Sequence, residues 1–361
     1  MTRLATFRAL GVLAIAFAGV SFAAAVEPAL TAEKAGEDFV FQGEYAGMLN
    51  ANGERFQQGV QVIARGDGRF DAVGYRGGLP GAGWDGNDKI KGTGRRDGNE
   101  VVIENAERTA KAVIRDGKMT ISIDGVDRGT LDRVERKSDT LGKKPPAGAV
   151  VLFSGKESDL ANFRDGARFE KGHLREGFTS KQQFGDYTLH LEFLLSFMPE
   201  ATGQARSNSG VYQQGRYEVQ VLDSFGLEGA DNECGGIYKA KAPGVNMCLP
   251  PLQWQTYDID FTSAKYDAAG EKTSPARMTV KHNGVVIHDQ VAVPAGTPGG
   301  TQAEGPGPGP IFVQNHGHPL GFRNIWVVSE LIRVTTPSIF FTVSRRSPIR
   351  SVACAVISSM P

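Results

Sequence analysis

Charge of either sign in excess is the first thing this chain lacks: 40 Lys and Arg stand against 40 Asp and Glu over 361 residues. That balance excludes the basic footprint that nucleic acid or an anionic membrane surface requires, and it points to a small neutral ligand. Cysteine is almost missing too, at three residues, which leaves room for one disulfide and one unpaired thiol. Long apolar runs are missing after the N-terminus, which leaves no later segment able to span a bilayer. Trp is present only three times. Glycine, by contrast, is abundant at 46 residues, and it falls between short alternating apolar segments. That combination predicts strands joined by tight turns, and the length predicts two folded units.

The first residues have their own pattern. Arg3 and Arg8 precede an apolar run from Leu10 to Val20, and Ser21, Ala23, Ala24 and Ala25 follow. This is the layout of a secretory signal peptide over residues 1–25, with cleavage near Ala23 or Ala25 and export to a periplasmic or extracellular space. In an exported chain, Cys234 and Cys248 lie close enough in "ECGGIYKAKAPGVNMC" to be the expected disulfide pair, worth about 3 kcal/mol by loop entropy, with Cys354 left free.

Residues 39–134 alternate in short segments such as "GVQVIARG", "RFDAVGY", "EVVIEN" and "KMTISIDG", which predicts a small all-β domain. Trp84 sits in the long Gly-rich loop of that domain as either a binding residue or a core plug. Residues 135–149, charged and then rich in Pro and Gly, are expected to be a linker. From residue 150 to 330 the strands lengthen, as in "YTLHLEFLL", "YEVQVLDS", "WQTYDIDF" and "FRNIWVVSE", and Asn283-Gly284 marks a two-residue hairpin. Many antiparallel strands with long connections predict a jelly-roll sandwich. Residues 295–310, "AGTPGGTQAEGPGPGP", must form a surface loop, and residues 331–361 have no clean period.

The chemistry concentrates on one of these strands. In "RYEVQVLDS", Tyr217, Val219 and Val221 alternate with Glu218 and Gln220, so a carboxylate and an amide stand on one face about 7 Å apart. Asp223 follows on the other face. A glycosidase of the ordinary kind needs two carboxyls there, and an amide neither attacks nor donates as an acid, so double-carboxylate hydrolysis is disfavoured. In "GPIFVQNHGHPLGFRNIWVV", Gln314 and His316 share a face, and His316 sits where a strand runs into a loop, suited to act as base, acid or metal ligand. Arg323 offers a fixed positive charge, or a structural ion pair. Asn208 stands at the mouth of a strand, as a hydroxyl-binding amide or a turn cap. His190 and Glu192 share the polar face of their strand, and a hydrogen-bonded structural role suits them better than a site.

In this order, "KQQFGDYTLHLEF", "SNSGVYQQGRYEVQVLDS", "ECGGIYKAKAPGVNM", "WQTYDIDF", "NGVVIHD" and "GPIFVQNHGHPLGFRNIWV" resemble the 3-keto-disaccharide hydrolase family, also described as 3-keto-glycoside lyases and 3-keto-glucal hydratases. The resemblance runs from about Ala149 to Val328. It implies a concanavalin A-like, all-β jelly roll with its ligand on the concave sheet, and cleavage of a 3-keto-glycoside by elimination and hydration. That chemistry needs one base, one acid and a group to hold an enolate. Glu218 is the candidate base and His316 the candidate acid, with Gln220, Arg323, Gln314 and Asn208 binding the sugar. A divalent metal is a further candidate, with Glu218, Asp223 and His316 as its ligands. The alternative is a carbohydrate-binding module without catalysis, which the same fold supports.

Overall fold

The computed structural model describes residues 27–329 except Asn52 and Asp88. The expected signal peptide, the C-terminal extension and Cys354 lie outside the described residues. Among those described, no helix is long and apolar enough to cross a membrane.

The first unit is a closed eight-stranded antiparallel barrel. Its strands are β1 (Gly43–Ala51), β2 (Glu54–Ala64), β3 (Arg69–Arg76), β4 (Lys89–Asp97), β5 (Glu100–Asn105), β6 (Ala110–Arg115), β7 (Lys118–Ile123) and β8 (Val126–Val134). Each pairs with the next, and β1 closes the ring by pairing with β8 through Glu44 opposite Val134 and Ala46 opposite Asp132. Closure removes the sheet edges that would otherwise template association. Inward positions alternate with outward ones, and Tyr45, Val62, Phe70, Val101, Ile114, Met119 and Leu131 form the barrel core.

The second unit is a two-sheet jelly-roll sandwich. In chain order its strands are β9 (Val150–Phe153), β10 (Phe169–Glu170), β11 (His173–Arg175), β12 (Phe178–Phe184), β13 (Tyr187–Leu194), β14 (Ser209–Gln213), β15 (Tyr217–Val221) and β16 (Trp254–Thr262). A small ribbon follows, β17 (Lys265–Tyr266) with β18 (Lys272–Ser274), and then β19 (Ala276–His282), β20 (Val285–Val293), β21 (Gly309–Val313) and β22 (Gly321–Ser329). The larger sheet runs β10-β11-β22-β13-β16-β19-β20, with β9 also on β22, and the smaller runs β12-β21-β14-β15. Leu189, Leu191 and Phe193 of β13 face Val219 and Val221 of β15 within one buried cluster. Asn283 and Gly284, at φ 52° and 84°, make the expected two-residue turn between β19 and β20.

The two units are packed together. Ile63, Val73 and Tyr75, on the outer side of β2 and β3, belong to the same buried cluster as the sandwich core. Trp84 packs edge-on against Tyr75 with ring centroids 5.4 Å apart, so it is a plug at this junction. The segment expected to be a linker is a strap. Arg136 grips Glu44 through two hydrogen bonds of 2.7 and 2.6 Å. Ser138 meets Thr256 at 2.6 Å, Thr140 donates to Asp258 at 2.7 Å, and the Gly142 N–H donates to Glu192 at 2.6 Å. The segment lacks apolar periodicity because hydrogen bonds, not apolar burial, hold it to the outer face of the larger sheet.

Candidate active site

The smaller sheet carries the site on the face turned away from the sandwich core. Alternation sends Val219 and Val221 inward, and Glu218 and Gln220 to the opposite face. Cross-strand register then sets Tyr212 of β14 beside Glu218, and Gly210 beside Gln220. Gly210 matters for its missing side chain: a Cβ there would lie 2.7 Å from Glu218 Cδ and push the carboxylate out of its place. Phe312 lies beside Tyr212 on the next strand, β21, which continues into Gln314 and His316.

Loops close this face into a cleft of about 200 Å³ lined by Glu218, Gln220, Tyr212, Tyr238, Gln314 and His316, with Asn208 and Gln204 beside them. One rim is the expected surface loop, whose Thr297 hydroxyl accepts from the Glu218 N–H at 2.8 Å. The other rim follows Cys234: the Gln220 N–H donates to Gly236 O at 2.9 Å, and the Tyr238 N–H to Glu218 O at 3.2 Å. Strand β15 is therefore held along its outer edge, which fixes the two polar side chains.

Glu218 is the carboxyl among the residues that line the cleft. Only 2% of the residue is exposed. The Tyr212 hydroxyl lies 2.8 Å from its Oε2 and equally far from Pro298 O. The Gln220 amide is best satisfied with its nitrogen 2.8 Å from both Glu218 Oε1 and Ser209 O. Burial raises the Glu218 pKa from 4.5 to about 8, although the Tyr212 hydrogen bond pulls the other way. The Tyr212 hydroxyl is itself pushed up by burial and by Glu218. A carboxyl that ionises near neutrality, on the floor of a polar cleft, is suited to take up and release a proton.

Asn208 is buried and donates from its amide to Gln204 O at 2.8 Å. The Asn208 N–H donates to His318 Nδ1 at 3.1 Å, giving His318 the structural role, and its ring stacks on His316 at 5.6 Å. Burial, then the neighbouring His316, lowers the His318 pKa. His316 is exposed at the mouth of the cleft.

Two sequence candidates are elsewhere. Arg323 opposes Glu192 across β22 and β13, donates to it at 2.7 Å, and lies over the Trp254 ring at 3.9 Å. This is the outer face of the larger sheet, so Arg323 takes the structural alternative and does not reach the cleft. Glu192 sits there with His190, Asn324 and Asp258. Burial raises its pKa, but hydrogen bonds from His190, Asn324, Arg323 and the Gly142 N–H outweigh that and bring it to about 2. Asp223 is taken by Arg206 in a buried ion pair of 2.6 Å and is not among the cleft residues. Glu218, Asp223 and His316 thus do not converge as a ligand set, and no group of three or more His, Cys, Asp or Glu among the described residues is arranged to hold a metal ion.

The expected Cys234–Cys248 bridge is not formed: both are buried free thiols. Cys234 Sγ contacts the Tyr257 hydroxyl at 3.2 Å, and Cys248 Sγ faces the carbonyls of Leu249 and Leu222 at 3.5 and 3.6 Å. The two thiols stand within hydrogen-bonding reach of each other, without a bond between the sulfurs. Tyr212, Tyr238 and Gln204 were missed as site residues. Tyr212 was within reach of a reading by pairs, since "SGVYQQGRYEVQV" is a hairpin that sets it opposite Glu218.

A family model described as a 3-keto-alpha-glucoside-1,2-lyase-like domain matches residues 82–328, reaching well upstream of the expected start near Ala149 and into the barrel. Among solved structures, the chain is similar to three glycosyl hydrolase candidates from Parabacteroides distasonis. One is 32% identical with a TM-score of 0.46, over 51% of this chain and 84% of that one. The second is 15% identical with a TM-score of 0.37, over 50% and 93%. The third is 20% identical with a TM-score of 0.35, over 50% and 98%. No match was found among the curated proteins.

Proposed function

Because the chain belongs to the 3-keto-alpha-glucoside-1,2-lyase-like family, we propose that it is a glycoside-processing enzyme that cleaves 3-keto-glycosides by elimination across C1 and C2, followed by hydration. The observation that carries this reading is Glu218, a buried carboxyl with a pKa of about 8 on the floor of a polar cleft. A ketone at C3 acidifies the hydrogen at C2, so a base of this strength suffices to remove it. The Glu218 carboxylate takes that proton while the electron pair moves into the enolate. The enolate collapses, the C1–O bond breaks, and the aglycone oxygen leaves with a proton from His316. Water then adds across the C1–C2 double bond and gives the free 3-keto sugar, so the net change is hydrolysis.

The amides of Gln220, Gln314 and Asn208 supply hydrogen bonds for the sugar and for charge developing on the C3 oxygen. Arg323 has no part in this, and no step is assigned to a metal. Tyr212 positions Glu218, since its hydroxyl reaches the carboxylate directly. The test is a comparison of a 3-keto-glucoside with the plain glucoside. Cleavage of the keto form alone, with turnover lowered by about 10²–10⁴ in Glu218→Gln, supports the proposal. Equal cleavage of both sugars overturns it in favour of ordinary glycoside hydrolysis, and binding of both without cleavage favours the carbohydrate-binding module.

A further inference from the structure

The barrel is filled at one end and hollow at the other. At the filled end Tyr45, Val62, Phe70, Ile114 and Leu131 are essentially inaccessible, and Phe41 and Phe197 close the bottom. Toward the end that carries the β1–β2, β5–β6 and β7–β8 turns, six inward positions shrink to Ala51, Ala72, Gly74, Gly92, Ala110 and Ala112, while Phe56, Ile121 and Ile123 line the remaining wall. The result is a cavity of about 240 Å³ walled almost wholly by carbon. An eight-stranded barrel is just wide enough to be filled by its own side chains or to hold one small ligand. Here the small residues fall on the inward alternation of four different strands, so the space comes from the side chains and not from a gap between strands.

The mouth is apolar as well. Ile90, which lines the cavity, is 57% exposed, and Val126, cross-strand partner of the lining residue Ile123, is 52% exposed. Of the charged side chains around it, Arg76 lies over the Phe56 ring at 4.1 Å and pairs with Glu54 at 2.9 Å, Lys91 pairs with Glu228 at 2.8 Å, and Lys111 stands beside them. Two amides line the wall: Asn105, whose oxygen and nitrogen are taken by the Ala110 N–H, Thr109 and Glu107, and Gln58, which is 6% exposed. Its Nε2 donates to Gly59 O at 2.8 Å, and among the described residues its carbonyl oxygen has no donor. Gln58 lines the cavity, and a ligand hydroxyl or amide N–H there would give that oxygen a donor.

We propose that the open end of the barrel binds a neutral, mostly apolar small molecule with one hydroxyl, an aromatic or short aliphatic alcohol whose O–H donates to Gln58. A cavity of ~150 Å³ accepts benzene, so this one suits a molecule of roughly ten heavy atoms. The site is separate from the cleft and does not depend on the reaction proposed for it.

The experiment is a fluorescence titration of the full chain with 2-naphthol, alongside naphthalene, which has the same ring system without the hydroxyl. Saturable binding at one site is expected. Ala112→Phe fills the cavity from an inward position and should weaken 2-naphthol by on the order of tenfold or more, with far-UV circular dichroism and melting temperature retained. Ala110→Leu, nearer the rim, does the same should the larger ring prevent folding. Gln58→Leu should weaken 2-naphthol about fivefold and leave naphthalene unchanged. Absence of saturable binding, or binding untouched by both filling variants, overturns the site. Equal loss of the two probes in Gln58→Leu overturns the assignment of an alcohol.

Discussion

Replacing Glu218 by Gln should stabilise the protein at alkaline pH and have little effect at acid pH. In the unfolded chain this carboxyl ionises near 4.5, whereas in the fold burial holds its proton until about pH 8. Between those values the native state binds one proton more than the unfolded state, so stability drawn from this group is complete below pH 4.5 and is lost as pH rises to about 8. At 1.36 kcal/mol per pH unit the full loss is about 5 kcal/mol, an upper bound before the site relaxes around the charge. Gln keeps the size and does not ionise, and every other titrating group is common to both proteins. The melting temperature of Glu218→Gln minus that of the wild type should therefore widen between pH 5 and pH 9, by on the order of 5–10 °C. Scanning calorimetry in matched buffers measures it. A difference that stays constant across that range would show that Glu218 is not held protonated by the fold, and would remove the physical basis for treating it as the base.

Tyr212→Phe deletes a hydrogen bond that lowers the Glu218 pKa. The acid limb of kcat/KM for a 3-keto-glucoside, expected near pH 8 in the wild type, should move to higher pH; an unmoved limb would assign it to another group. Arg323→Met should leave turnover unchanged, because Arg323 is outside the cleft, and should cost about 1–3 kcal/mol in urea unfolding through the loss of a charged partner to buried Glu192. A large fall in kcat with stability intact would return Arg323 to the site. Cys234 and Cys248, being buried free thiols, should resist alkylation in the native protein and both react in denaturant without reductant. Failure to react until a reductant is added would establish the bridge.

Much of this architecture was legible in the sequence because its strands are half-buried. Two-residue alternation gave β15 its inner valines and its outer Glu218 and Gln220, and Asn283-Gly284 fixed a hairpin because few other pairs tolerate positive φ at both positions. Gln314, His316 and Asn208 came to the same cleft from neighbouring elements. What alternation could not supply was which sheet a polar face belongs to. Arg323 and Glu218 look alike in pattern, but one strand lies in the larger sheet and the other in the smaller. Tyr212 was hidden by its residue type, since an aromatic in a strand ordinarily reads as core. The strap at residues 138–143 escaped because its attachments are hydroxyls and backbone groups meeting Thr256, Asp258 and Glu192, which leave no apolar period. The hollow barrel end escaped for a similar reason: Ala and Gly at inward positions signal space only once the ring is known to close.

The most direct measurement of the central claim is solvent isotope incorporation. A 3-keto-glucoside is incubated with the enzyme in deuterated water, beside an enzyme-free control for the slow exchange of the free keto sugar, and the released sugar is examined by proton NMR. Abstraction at C2 by Glu218 followed by hydration requires deuterium at C2 in step with cleavage and above the control, and both signals should vanish together in Glu218→Gln. Release of sugar that keeps its C2 proton would mean direct displacement at C1, and would contradict the account.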